Sequence, residues 1–120
     1  MEKLTHYREL IQKVLQDYGK LGTNSADAHD SIDDRVATQY IFDTQRDHYQ
    51  LAYIGWENNN RRLFGPVIQI DLKNDKIWIQ YDGTEIGMAN ELVALGVPKS
   101  DIVLAFQAPY KRKWTEFASN

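Results

Sequence analysis

Over residues 2–18 the apolar side chains Leu4, Tyr7, Ile11, Val14, Leu15 and Tyr18 recur at steps of three and four. That period puts them on one stripe of an α-helix, with Arg8, Glu9, Gln12, Lys13 and Gln16 off it. Glu9 and Lys13 form a favourable i,i+4 pair. Gly19 and Gly22 bracket the expected stop. The next stretch, 22–34 (GTNSADAHDSIDD), is polar and aperiodic, which predicts a mobile surface loop.

From 35 to 81 the period drops to two. Segment 36–44 places Val36, Thr38, Tyr40 and Phe42 on one side, and 49–56 does the same with Tyr49, Leu51 and Tyr53. Between them Gln45, Arg46, Asp47 and His48 form a turn. Asn58, Asn59 and Asn60 make the next one, since Asn tolerates left-handed backbone. Segment 62–72 aligns Ile68, Ile70 and Leu72, with Gly65 and Pro66 marking a bulge or an edge. After Asn74 and Asp75, segment 76–81 opposes Ile77, Ile79 and Tyr81 to Trp78 and Gln80. Connections this tight permit only antiparallel neighbours. A second helix is expected at 85–95, capped by Thr84, carrying Met88, Leu92 and Leu95 on one face, and closed by Gly96 and Pro98. Residues 98–101 suggest a helical turn leading into the apolar run IVLAF (102–106). The predicted fold is α+β: a four-stranded antiparallel meander with the N-terminal helix and the second helix packed on one face.

The chain has 120 residues, enough for one modest core, and 1–120 reads as a single domain. Absence of cysteine excludes disulfides and thiolate chemistry. No run approaches 18 apolar residues, and the N-terminus lacks the apolar core of a signal peptide, so no membrane association and a cytoplasmic location are expected. Net charge is -3, unevenly spread: residues 1–60 carry six basic and ten acidic groups, residues 61–120 eight and seven. Asp27, Asp30, Asp33 and Asp34 supply the acid excess, and Lys111, Arg112 and Lys113 the basic cluster. An acidic domain forgoes the counterion release that dominates non-specific DNA affinity.

Candidate chemistry is sparse. His6, His29 and His48 have no metal-ligand spacing, and the seven glycines form no phosphate loop. No metal and no cofactor are therefore expected. Arg46, Asp47 and His48 could serve acid–base chemistry, but no nucleophile accompanies them. The structural alternative has Asp43 and Asp47 bracing the hairpin by accepting backbone amides. Asp71, Lys73 and Asp75 resemble part of a metal-nuclease site and lack its second acidic ligand. No catalytic residue is assigned, and a metal-dependent hydrolase using Asp43, Asp47, His48 or Asp71 stays as an alternative. Trp56, Trp78 and Trp114 speak more for binding. Trp78 opposes the core-facing isoleucines, so it is either a partner surface or covered by the C-terminal tail. Tyr110, Lys111, Arg112, Lys113, Trp114 and Phe117 combine aromatic anchors with charged rim groups, and with Trp78 they form the candidate partner surface. The same tail could instead mark a small DNA-binding directionality factor.

The segments FDTQRDHYQL (42–51), IQIDLKNDKIWIQ (68–80), DGTEIGMANELVALGVPKSDIVLAFQ (82–107) and PYKRKWTEFA (109–118), with YRELIQKVLQDY (7–18), resemble the XisI family. They run in order over nearly the whole chain, and residues 20–36 fit least. The resemblance implies a controlling factor for excision of the fdxN element, which heterocyst-forming cyanobacteria remove from a nitrogen-fixation operon. It implies a non-enzymatic role beside an XisH-like partner, with strand chemistry done by a separate recombinase and DNA reached only indirectly. Self-association into a homo-oligomer is a further expectation. The resemblance brings no assigned catalytic residues.

Overall fold

A computed structural model describes residues 2–22, 36–58 and 60–120. The predicted loop 22–34 lies outside them apart from Gly22, as do His29, the four loop aspartates and Asn59. Helix α1 (Glu2–Gly22) leads into strands β1 (Ala37–Asp43), β2 (His48–Glu57), β3 (Arg61–Lys73) and β4 (Lys76–Asp82). Helix α2 (Met88–Ala94), a 3-10 turn (Lys99–Asp101), β5 (Ile102–Leu104) and the short helix α3 (Pro109–Arg112) complete the order.

The expected antiparallel meander β1–β2–β3–β4 is present, but the sheet has five strands and is mixed. The apolar run after the 3-10 turn supplies β5, which pairs parallel to β4 as Ile77↔Ile102, Trp78↔Val103 and Ile79↔Leu104. A parallel neighbour needs a long crossover, and residues 83–101 with α2 provide it.

Helices α1 and α2 cover one face. Tyr7, Leu10, Ile11, Val14 and Leu15 of α1 and Met88, Ala89 and Leu92 of α2 pack on Tyr49, Leu51, Ile68, Ile70, Ile77, Ile79 and Ile102. Burial of a dozen large side chains, at roughly 1.5–3 kcal/mol each, is what offsets the entropy of ordering the chain.

Three local expectations change. Helix α1 runs through Gly19 and ends at Gly22, the later of the two expected stops. Tyr40 of β1 lies against this position, and a Cβ at Gly19 would sit 2.0 Å from its hydroxyl. The glycine thus admits a neighbour and does not end the helix. Lys13 pairs with Asp17 at 3.0 Å, one turn after it, and not with the expected Glu9 one turn before. Helix α2 begins at Met88, because Asp82 accepts the Met88 amide at 2.7 Å and Thr84 accepts that of Gly87 at 3.0 Å. Its end matches expectation. Gly96, at φ 102°, donates to Val93 and Val97 donates to Leu92, a Schellman closure.

Candidate functional site

The turn residues Arg46, Asp47 and His48 separate into three directions. Asp43 braces the turn as predicted: its Oδ1 accepts the amides of Gln45 and Arg46, and its Oδ2 accepts from the Arg46 guanidinium at 3.2 Å. Asp47 does something else. Its carboxylate receives a two-pronged contact from Arg8 of α1, at 2.7 and 3.1 Å, and the hydroxyl of Tyr49 at 2.7 Å. Its backbone, at φ 63°, accepts the Leu72 amide. Asp47 therefore ties the helix to the sheet instead of receiving turn amides. The Arg8 hydrogen bond holds its carboxyl below the usual carboxylate range, against the opposing effect of burial and with help from Tyr49. Burial, with the bond to Asp47, pushes the Tyr49 phenol far up. Tyr7 is raised in the same way by burial and its hydrogen bond to Asp101.

His48 starts β2 on the opposite sheet face. Its Nδ1 lies 3.0 Å from Asp71 Oδ1, which also accepts from Gln69 Nε2 at 2.8 Å. The structure thus joins His48 to Asp71, while Asp47 points to the helices. Among the described residues, no group of three or more His, Asp or Glu is placed to hold a metal ion. A surface recess between the end of α1 and the segment after β4 is lined by Tyr18, Leu21, Gly83, Glu85 and Ile86.

The proposed partner surface also divides. Trp78 is 7% exposed, so it is no contact surface; the tail covers it. Its Nε1 donates to the Lys73 carbonyl at 2.9 Å, the Lys73 ammonium lies 4.0 Å from its ring, and Arg112 stacks at 5.8 Å. Arg112 is held inward, donating to the carbonyls of Gln107 and Ala105 at 3.0 and 3.1 Å. The tail is fastened further by a parallel bridge from Ala118 to Val103, by Lys76 on the Asn120 carbonyl, and by the Lys99–Glu116 ion pair. Phe117 is half-buried against the core, with Lys99 over its ring. Four of the seven residues remain outside. Tyr110 is 67% and Trp114 78% exposed, one helical turn apart, with Lys111 and Lys113 beside their rings. The alternation that set Trp78 off the core face was visible in the sequence; the chain folding back over that face was not.

Among the described residues, no helix is long and apolar enough to cross a membrane. No curated protein matches the chain. Two solved structures from Anabaena variabilis ATCC 29413 share this fold along nearly their whole length. One, a XisI-like protein, is 43% identical, with a TM-score of 0.78, over 96% of this chain and 97% of that one. The other, described as fdxN element excision controlling factor XisI, is 36% identical, with a TM-score of 0.81, over 98% and 99%. The family model described as XisI protein matches residues 1–119. With that match spanning helix, sheet and tail alike, the chain belongs to the XisI family.

Proposed function

We propose that this chain is a non-catalytic accessory factor that controls site-specific excision of a DNA element of the fdxN type. It acts in the cytoplasm with an XisH-like protein, while a separate recombinase performs the strand chemistry. Exposed Tyr110 of α3 and Trp114 in the turn just after it carry the reading. They stand on an anchored platform, so two aromatic side chains are offered to a partner without loss of backbone order. Flanking Lys111 and Lys113 supply a charged rim that favours an acidic or mixed surface over an apolar one. The acidic side chains considered for chemistry have structural partners: Asp47 has Arg8 and Tyr49, Asp71 has His48 and Gln69, and Asp43 has the turn amides. That supports a binding role for the chain over a hydrolytic one.

The test is titration of purified chain against a purified XisH-like protein, read by light scattering and calorimetry. Trp114→Ala should weaken the complex by about 2 kcal/mol, roughly 30-fold, without altering the fold. No complex with wild-type chain, or a Trp114→Ala chain that binds at full strength, refutes the reading. DNA affinity that falls steeply with salt, in the absence of any protein partner, would instead favour a directionality factor.

A further inference from the structure

The hairpin β2–β3 outgrows the sheet. Strand β1 reaches only the Ala37↔Ile54 pair and β4 only Ile68↔Asp82, so among the described residues 55–63 pair solely with one another. The result is a two-stranded arm beyond the ends of β1 and β4. Gly55 and Gly65 stand at its base with φ of 148° and 146°, values that side-chain-bearing residues rarely adopt.

The face of β1–β3 away from the helices continues onto this arm. Alternation and register place on it, from the arm tip to the sheet base, the rows Trp56–Arg62, Ile54–Phe64, Ala52–Pro66, Gln50–Gln69 and His48–Asp71. Strand β1 adds Ile41 beside Gln50 and Asp43 beside His48. Phe64 is 74% and Ile41 49% exposed. The Arg62 guanidinium lies 5.5 Å from the Trp56 ring and 5.6 Å from that of Phe64, a fixed cation on an apolar plate. The arm end of this face is thus aromatic and basic, and the sheet end is polar, with the carboxylates of Asp43, bonded to Arg46, and Asp71, bonded to His48 and Gln69.

A two-fold axis through the Ala52–Pro66 row superposes these opposites. It lays Ile54 and Phe64 of one copy on the glutamine row of the other, and Arg62 on the row of Asp71 and Asp43. Ala52, a small side chain already only 4% exposed among its strand neighbours, falls at the centre, so the contact there is made by the side chains around it. The contact is isologous, each charge used once in either direction. Its footprint, about nine residues long, three strands wide at the base and two on the arm, is at most roughly 30 by 14 Å, the size of a weak, reversible contact.

We infer that this face is a homodimer interface: a second copy of the chain packs sheet to sheet, its arm lying across the acidic base and Arg62 meeting Asp71 of the other copy. It uses β1–β3 and neither Tyr110 nor Trp114, so it stands or falls apart from the XisH-like contact. Nucleic acid is the poorer occupant, because the face carries both signs of charge and the chain is acidic overall.

The experiment is sedimentation equilibrium on purified full-length chain at high micromolar concentration, with circular dichroism to confirm folding. Wild type should have the mass of two chains. Phe64→Ser, Arg62→Glu and Asp71→Lys should each have the mass of one, while equimolar Arg62→Glu and Asp71→Lys should recover the two-chain mass. In the mixture both contacts again join an acid to a base, one as in wild type and the other with its signs exchanged; in either variant alone, like charges meet. A monomeric wild type overturns the inference. So does a dimer indifferent to Phe64→Ser and to both charge changes, or a folded variant pair that does not recombine.

Discussion

Trp78 and Trp114 are the same residue type, 36 positions apart, and the structure assigns them opposite energetic roles. A buried Trp removes about 150–250 Å² from water. At about 25 cal/mol per Å² that is roughly 4–6 kcal/mol. Allowing for the partial compactness of the unfolded chain lowers it to about 3–5 kcal/mol, the range measured for Trp→Ala in protein cores. Trp78 is 7% exposed and receives this in nearly full measure. Trp114 is 78% exposed, so Trp114→Ala should cost about 0.5 kcal/mol, a surface-substitution value. The assay is urea unfolding followed by far-ultraviolet circular dichroism, since each variant alters the fluorescence signal itself. In a parallel thermal scan, Trp78→Ala should lower the melting temperature by about 10–20 °C, against a degree or two for Trp114→Ala. Stability costs within about 1 kcal/mol of each other would refute the assignment of Trp78 to the interior beneath the tail.

Asp47 has a lowered pKa, so its contribution is present above the unfolded carboxyl value of about 3.9 and is lost as pH falls through the lower folded value. Asp47→Asn should therefore reduce stability at neutral pH and flatten the acid limb of urea midpoint against pH; an acid limb identical to wild type refutes the Arg8 tie. Tyr49 and Tyr7 have raised values, so their contributions are full below about pH 10 and fade as pH climbs toward the higher folded values. Tyr49→Phe should lose about 1 kcal/mol at neutral pH and show a shallower alkaline decline than wild type. An unchanged alkaline limb would mean that the phenol is already ionisable in the fold.

The four meander strands were legible because Leu51, Ile68, Ile70, Ile77 and Ile79 recur at every second position of their strands, and short turns leave one way to pair them. The fifth strand was not, for two reasons. Three residues carry no period, and Ile102–Leu104 is apolar on both sides because both faces are covered. Gly19 misled for a related reason. A local stop signal and a packing allowance look the same in sequence, and only Tyr40 of β1 distinguishes them. For the candidate site, composition identified the aromatic and basic tail, but not which way each side chain turns. Arg112 satisfies two carbonyls of its own loop and Trp78 lies beneath it, leaving Tyr110 and Trp114 outward. The Asp47–Arg8 tie spans 39 positions and has no local signature.

The bridge from Ala118 to Val103 has a consequence for solution behaviour. A sheet border with open amides and carbonyls is a template on which further chains can grow. Strand β5 is only three residues long, and the returning tail lies along it, with the Ala118 amide already donating to Ile102. The tail is thus an edge guard as well as a lid: the segment that hides the Trp78 ring also occupies the border beside it. Trimming the chain back to Ala105 would expose both together, an apolar plate next to an open strand edge. That combination favours fibre growth over a discrete particle. The final fifteen residues act against aggregation, a role that their basic and aromatic composition does not announce.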